Sequence, residues 1–218
     1  MSAKLQLALD FVELEEALAL LEKVHSFVDI VEIGTPTIIR YGVEAVRRVK
    51  QSFPQKSVLA DLKIMDAGEG EARLGFEAGA DIVTVMAVAH DETILGAVRA
   101  AATSGGQIMA DLMSVPLLAN RAQEVERLGC SVVCVHTSTD AHLPGKQAFQ
   151  IVKLLRAQLS RAGIAVAGGI NVRSAGAACA AGADILVVGS AILKATDQFE
   201  AARALQRVCA RWPGREVS

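Results

Sequence analysis

The segment V-L-A-D-L-K-I-M-D-A-G (58–68) places three charged residues, Asp61, Lys63 and Asp66, in and just after an apolar run. Successive side chains of a strand alternate between its two faces, so Asp61 and Lys63 share one face while Leu62 takes the other. Asp66 and Gly68 fall just past the strand, where a helix begins. Charges crowded at the end of a buried strand are costly unless they pair, hold a metal ion or take part in a reaction. The run therefore marks a candidate active site.

The elements that must position it repeat along the chain. Strand-like apolar runs lie near 5–10, 28–33, 57–62, 81–86, 107–111, 131–136, 163–167 and 184–188. Helical patterns fill the gaps near 13–24, 36–51, 68–78, 91–104, 115–128, 146–160, 172–181 and 197–210. Eight βα units are the count of a (β/α)8 TIM barrel, here a single domain over 1–211 followed by a short tail, 212–218. The tail, R-W-P-G-R-E-V-S with its preceding arginine, is expected to be loosely ordered. A doubly wound open sheet is the alternative fold, but no G-x-G-x-x-G follows the first strand. Three helix ends carry the same chemistry, with Gly79, Gly129 and Gly182 each able to take the left-handed turn before the next strand.

In such barrels the working groups sit where strands end. Those positions here are Asp10, Glu32, Asp61 with Lys63, Thr84, Asp111, His136, Gly168–Gly169 and Gly189–Ser190. A ring of solvated loop residues would explain any one of them, but not ionisable groups at the ends of strands one, two, three, five and six. Glu32 and Asp61 are hard oxygen donors suited to Mg²⁺, although either alone would serve in an ion pair. Lys63 can neutralise a developing oxyanion or simply pair with Asp61. His136 ends V-V-C-V-H and faces the same rim, where it can act as acid or base. His25 and His142 read as surface positions, and His90 lies in the fourth βα loop, near enough for a peripheral substrate contact. The glycines of A-V-A-G-G-I and V-V-G-S-A-I, after strands seven and eight, suit an anion held on backbone N–H groups, so the substrate is expected to carry a phosphate.

Composition narrows the class. The 218 residues are 52 % hydrophobic but only 4 % aromatic, so the apolar mass is aliphatic and suits close packing of helix on sheet. The longest stretch without Asp, Glu, Lys or Arg, 128–139, is far short of a membrane span. A net charge of −2 with no basic run argues against nucleic acid. The N-terminus enters a strand pattern at once, with no apolar leader, so a cytoplasmic protein is expected. The four cysteines include no C-x-x-C pair and read as buried, reduced thiols.

K-L-Q-L-A-L-D (4–10), V-E-I-G-T-P (31–36), L-A-D-L-K-I-M-D-A-G (59–68), V-H-T (135–137), A-V-A-G-G-I (165–170) and V-V-G-S-A-I (187–192) resemble the orotidine-5′-phosphate decarboxylase superfamily, from Lys4 to about Ala195. D-x-K-x-x-D marks the superfamily as a whole. V-E-I-G-T-P and K-I-M-D-A-G are similar to its branch of 3-hexulose-6-phosphate synthases and 3-keto-L-gulonate-6-phosphate decarboxylases. The resemblance implies that Glu32 and Asp61 hold Mg²⁺ and that Asp10 and Lys63 contact the reacting end of a sugar phosphate. It implies that His136 moves the proton at C1, and that Gly168, Gly169, Gly189 and Ser190 line the phosphate site. Asp66 would reach into the neighbouring site of a homodimer. The implied reaction is aldol condensation of formaldehyde with ribulose 5-phosphate through a Mg²⁺-stabilised 1,2-enediolate. Decarboxylation of 3-keto-L-gulonate 6-phosphate through the same enediolate is the alternative.

Two departures favour the synthase branch: Thr139 and Ser190 stand where the decarboxylase branch usually has arginines. The orotidine decarboxylases themselves use a second lysine that this chain lacks, and the similar barrel of ribulose-phosphate epimerase pairs histidines where only His136 stands. A non-catalytic sugar-phosphate sensor would keep the glycine loops but has no use for Glu32, Asp61, Lys63, Asp66 and His136 together.

Overall fold

The computed structural model describes residues 2–138, 140 and 145–212. Eight parallel strands close into a barrel in sequence order, so β8 pairs with β1. They are β1 (Lys4–Leu9), β2 (Ile30–Ile33), β3 (Ser57–Ile64), β4 (Ile82–Met86), β5 (Gln107–Asp111), β6 (Val132–His136), β7 (Gly163–Ala167) and β8 (Ile185–Val188). The helices are α1 (Leu14–Val24), α2 (Thr35–Tyr41), α3 (Glu44–Ser52), α4 (Gly68–Glu77), α5 (Asp91–Ser104), α6 (Leu118–Leu128), α7 (Gly145–Gln158), α8 (Val172–Ala181), α9 (Ser190–Leu193) and α10 (Gln198–Ala210). No helix among the described residues is long and apolar enough to cross a membrane.

The expected architecture is therefore present, with local differences. The helix expected over 36–51 is two, because Gly42 at φ +65° ends α2 and turns the chain into α3. The helix expected from 115 starts at Leu118, after a turn in which Ser114 sits at φ +64°. The strand expected over 57–62 runs on to Ile64. Of the expected tail only Trp212 lies among the described residues, and it is tied down: its carbonyl accepts the Ala3 N–H at 3.0 Å. Gly79, Gly129 and Gly182 all adopt positive φ, and all four cysteines are buried and unpaired. Burial pushes the Cys130 thiol up to about 12, which leaves it inert.

The strands sort their side chains between two layers. Outward residues such as Leu5, Leu7, Val31, Val58 and Val83 join the helices in the main core. Inward residues form a smaller cluster, with Ile30, Leu59, Ile82, Met109 and Val132 as its bulky members. Cys134, Ile185, Val187 and the small residues Ala8, Ala165 and Ala167 complete that inner cluster, and Ala8 and Ala167 line the cavity above it.

The opposite, amino-terminal end is closed by repeated carboxylate staples. Asp29, Asp81 and Asp184 stand just before β2, β4 and β8. Each Oδ2 accepts an N–H of the preceding strand, from Leu5 at 2.8 Å, Val58 at 2.7 Å and Ile164 at 2.8 Å. Each aspartate N–H donates back to the carbonyl of the same residue. Orphan backbone groups at the strand starts are thus satisfied in pairs.

Glu126 on α6 performs a similar task for the turn into β7. Its Oε1 accepts the N–H groups of Arg161 and Ala162 at 2.7 Å and of Ser160 at 3.1 Å. Burial would raise this carboxyl, but the three N–H donors outweigh it and hold it below the ordinary glutamate value of 4.5. A carboxyl depressed in the fold stabilises above its free value and loses that contribution as pH falls through the folded value. Glu126→Ala is expected to cost at least about 2 kcal/mol, lowering the Tm by about 4–8 °C near neutrality. Thermal melts at a series of pH values check this: the gap to wild type should narrow below the ordinary glutamate value, and a gap independent of pH would contradict the role.

Candidate active site

One cavity opens at the carboxyl ends of the strands. Asp10, Glu32, Asp61, Lys63, His136, Gly168, Gly169, Gly189 and Ser190 all line it. Asp66 does not: it is exposed and lines a second groove with Val88, His90 and Leu117. His90 therefore makes no contribution to the central cavity of its own chain. His142 and Thr139 lie outside the described residues, and His25 is partly buried against the Phe53 ring.

The centre of the cavity is a continuous chain of charged hydrogen bonds. Lys63 Nζ lies 2.9 Å from Asp61 Oδ2 and 3.1 Å from Asp111 Oδ2. The same Asp111 oxygen lies 2.7 Å from His136 Nδ1. Asp111 Oδ1 accepts the Met113 N–H at 2.9 Å, which fixes the carboxylate plane. Thr84 Oγ1 donates to Asp61 Oδ1 at 2.8 Å, and Thr35 Oγ1 donates to Asp61 Oδ2 at 2.7 Å.

The third strand reaches this arrangement by a bulge. Its register with β4 shifts between Ala60 and Ile64, and Lys63 takes φ +46°. Such a conformation costs about 1–3 kcal/mol for a residue with a side chain. Thr84 Oγ1 helps hold it by accepting the Lys63 N–H at 2.9 Å. The sequence expectation that Asp61 and Lys63 share a face holds in outcome, but simple alternation is not the whole means.

Two glycines make the remaining approaches possible. A Cβ at Gly34 would lie 1.9 Å from Asp10 Oδ1, so the residue after V-E-I must lack one for Asp10 to enter. At Gly168 the backbone is left-handed, φ +100°, and a Cβ would come within 2.4 Å of the Thr137 carbonyl oxygen.

Carboxyls outnumber lysines in the cavity lining: Asp10, Glu32, Asp61 and Asp111 stand at the strand ends with Lys63, and Glu16, Asp140, Lys23 and Lys194 complete its charged residues. Burial raises the Asp10 carboxyl, and the Asp61 charge adds to that. Burial and Asp61 together push Glu32 up to about 8. Asp111 goes the other way: burial would raise it, but His136 and Lys63 hold it below the ordinary range. Burial would lower Lys63, yet Asp61 and Asp111 overcome this and hold the ammonium well above the usual lysine value. Lys63 is a fixed cation. Because Asp111 faces Nδ1, that nitrogen carries the proton, and Nε2 is left as the basic atom of His136.

The sequence names neither Gln6 nor Thr35 as a contributor, and marks Asp111 only as a strand-end position. Gln6 Nε2 donates to Glu32 Oε2 at 2.6 Å from a fully buried position. Its signal was a lone polar residue at an inward position of L-Q-L-A-L. Thr35 gave none beyond its place at a helix start. Asp111 appeared among the strand ends, but its joint hold on Lys63 and His136 needed coordinates.

Residues 3–205 match the orotidine 5′-phosphate decarboxylase / HUMPS family, and the chain belongs to it. Within that family, the 3-hexulose-6-phosphate synthase of Mycobacterium gastri is 43 % identical over 208 residues, covering 95 % of this chain and all of the relative. The solved 3-hexulose-6-phosphate synthase from Salmonella typhimurium superposes with TM-score 0.89 at 41 % identity, covering 95 % of this chain and 99 % of the other. The solved 3-keto-L-gulonate-6-phosphate decarboxylase from Vibrio cholerae superposes with TM-score 0.84. It is only 28 % identical, covering 98 % of this chain and all of the other.

A carboxyl raised in the fold stabilises below its free value, here 4.5, and loses that contribution as pH rises through its folded value, here about 8. Glu32→Gln is therefore expected to raise the Tm of the metal-free protein at about pH 9 and to leave it nearly unchanged at about pH 5. Melting curves at the two pH values check it. An equal offset at both would show that Glu32 is not the group responsible.

Proposed function

We propose that the protein is a lyase that condenses formaldehyde with ribulose 5-phosphate to give a hexulose 6-phosphate. The observation that carries this reading is the chain Asp61–Lys63–Asp111–His136, which sets a permanent cation and a base on one carboxylate inside a single cavity. The identity to named synthases, 43 % and 41 % against 28 % for the decarboxylase, supports aldol addition over decarboxylation. Ser190 in the cavity supports the same choice, since the decarboxylase branch usually carries arginine there.

The site's residues suit a divalent cation. Glu32 and Asp61 are both buried, and the Asp61 charge adds to the cost of ionising Glu32, a repulsion that a cation relieves. Among the described residues no group of three metal-type side chains is placed to hold an ion. Mg²⁺ on the two carboxylates would draw the rest of its shell from substrate and water, as this ion commonly does. Asp61 already accepts from Lys63, Thr84 and Thr35, so its full share in such a site requires Lys63 to lean on Asp111. When bound, Mg²⁺ supplies Lewis-acid stabilisation of negative charge on the sugar oxygens.

The chain's own residues do the rest. His136 Nε2 takes the proton from C1 of the sugar, and the electron pair moves to the C2 oxygen, giving the 1,2-enediolate. The Lys63 ammonium stabilises that anion where charge develops. Asp111 holds the imidazole and steadies its charge once protonated. The C2 carbonyl then re-forms as C1 attacks formaldehyde, the new C–C bond forms, and the alkoxide oxygen that came from formaldehyde takes the proton back from His136. Asp10, its carboxyl raised by burial, is placed to hydrogen-bond substrate hydroxyls. The glycine loops at 168–169 and 189–190 receive the phosphate.

The active unit is a homodimer in this reading. Its support is Asp66, which points away from its own cavity into an open groove beside exposed Leu117 and Val88. Four unpaired cysteines suit a reducing compartment and support a cytoplasmic enzyme.

Purified protein with Mg²⁺ should consume formaldehyde in the presence of ribulose 5-phosphate, and EDTA should abolish the reaction. CO₂ release from 3-keto-L-gulonate 6-phosphate without formaldehyde consumption would replace the synthase reading by the decarboxylase one. Binding of the sugar phosphate with neither reaction would leave a sensor. His136→Asn should slow exchange of the C1 proton with solvent deuterium by about 10²- to 10⁴-fold, and undiminished exchange would refute its role as base. Mixing Asp66→Ala with Lys63→Ala subunits should recover part of the activity if sites are completed across the dimer. No recovery in verified heterodimers would count against sharing.

A further inference from the structure

Gln6 lies on β1 in register with Ile30 and Val187, among the apolar side chains that floor the cavity. It is 1 % exposed. One end of its amide is committed, with Nε2 donating to Glu32 Oε2 at 2.6 Å. The other end is not, since Gln6 Oε1 is buried without a hydrogen-bond partner among the described residues. With Glu32 ionised, as a ligand to a cation must be, exchanging the two amide ends would set two oxygens against each other, so the contact with Glu32 fixes the orientation. Its neighbours Ile30 and Val187 are apolar and ask for no amide. Keeping an amide there with one acceptor unmet is costly and calls for a use.

We propose that Gln6 is a positioning residue for the cation site: its N–H pins one oxygen of Glu32, leaving the other for a divalent ion shared with Asp61. Its free carbonyl oxygen accepts a hydrogen bond from water or a sugar hydroxyl brought in with the ligand. The inference rests on the cation reading given above. Carboxylates that hold metals are themselves held by hydrogen bonds, and removing such a partner weakens metal binding about 10- to 100-fold. Thr35 and Thr84 serve Asp61 in this way, and among the hydrogen bonds described for Glu32, Gln6 is its donor.

The test is direct Mn²⁺ titration of the full-length protein, followed by electron paramagnetic resonance. Wild type is compared with Gln6→Met, which keeps the side chain's length, and Gln6→Asn, which keeps the amide but falls short of Glu32. Both variants are expected to bind Mn²⁺ about 10- to 100-fold more weakly with an unchanged circular dichroism spectrum. Should Gln6→Met fail to fold, Gln6→Asn decides alone. Wild-type affinity in a folded variant would overturn the proposal while leaving the cation site standing. Absence of Mn²⁺ binding by wild type would remove the cation reading and this proposal with it.

Discussion

One ammonium shared by two buried carboxylates sets the terms for the rest of this site. Lys63 sits between Asp61 and Asp111, all three largely removed from water. A desolvated ion pair is favourable only when its geometry is good and its spare lone pairs are filled. The surroundings meet that demand closely: Thr84 and Thr35 fill Asp61, and Met113 and His136 fill Asp111. The left-handed turn at Lys63 belongs to the same account. A strand in regular register would not shift against β4 between Ala60 and Ile64, and the bulge that carries Lys63 is held by an N–H bond to Thr84. Strain, charge and hydrogen bonds are thus parts of one arrangement. Removing a single member leaves an uncompensated charge behind.

The barrel keeps that arrangement apart from the interactions that hold the fold. At the amino-terminal end, Asp29, Asp81 and Asp184 commit their carboxylates to backbone N–H groups and close the strand starts. At the carboxyl end the acids face each other, with too few cations to neutralise them. The two sets of aspartates have the same chemistry and opposite consequences. One set is spent on backbone N–H groups, and the other is spent on holding the side chains of Lys63 and His136 in the cavity. Stability and reactivity are divided between the two ends, as the fold generally permits.

How much of this was legible in the sequence follows from the range of each interaction. Strand order and the strand-end residues could be read, because burial writes a local apolar pattern and βα units repeat it. D-x-K-x-x-D stood out because charges in such a pattern have few explanations. What could not be read depends on contacts across the barrel. Asp111 pairs with Lys63 over a sequence separation of 48, and Gln6 meets Glu32 over 26. No local pattern encodes either. The division of 36–51 into two helices was missed because a single glycine, Gly42, outweighs good helical periodicity on both sides. Gln6 was passed over for the opposite reason: one polar residue in an apolar strand looks like noise until the side chain opposite it is known to be a carboxylate.

The same floor would serve either reaction open to this branch of the family, and that is a consequence of its chemistry. On the proposed reading, the Lys63 ammonium and a cation held by the carboxyls would stabilise an enediolate however it is made, by loss of a proton or of CO₂. Selection between the two must therefore act on the groups that meet the departing or arriving carbon. Those groups belong to the rim, where Ser190 opens the short helix α9 and where the loop after His136 leaves the sixth strand. An arginine in these places would add a cation beside the departing carboxylate. On the proposed reading, Ser190 adds no such cation, which suits a small neutral electrophile such as formaldehyde. On that reading the hydrogen-bonded floor would set the intermediate, and rim positions such as Ser190 would set its fate.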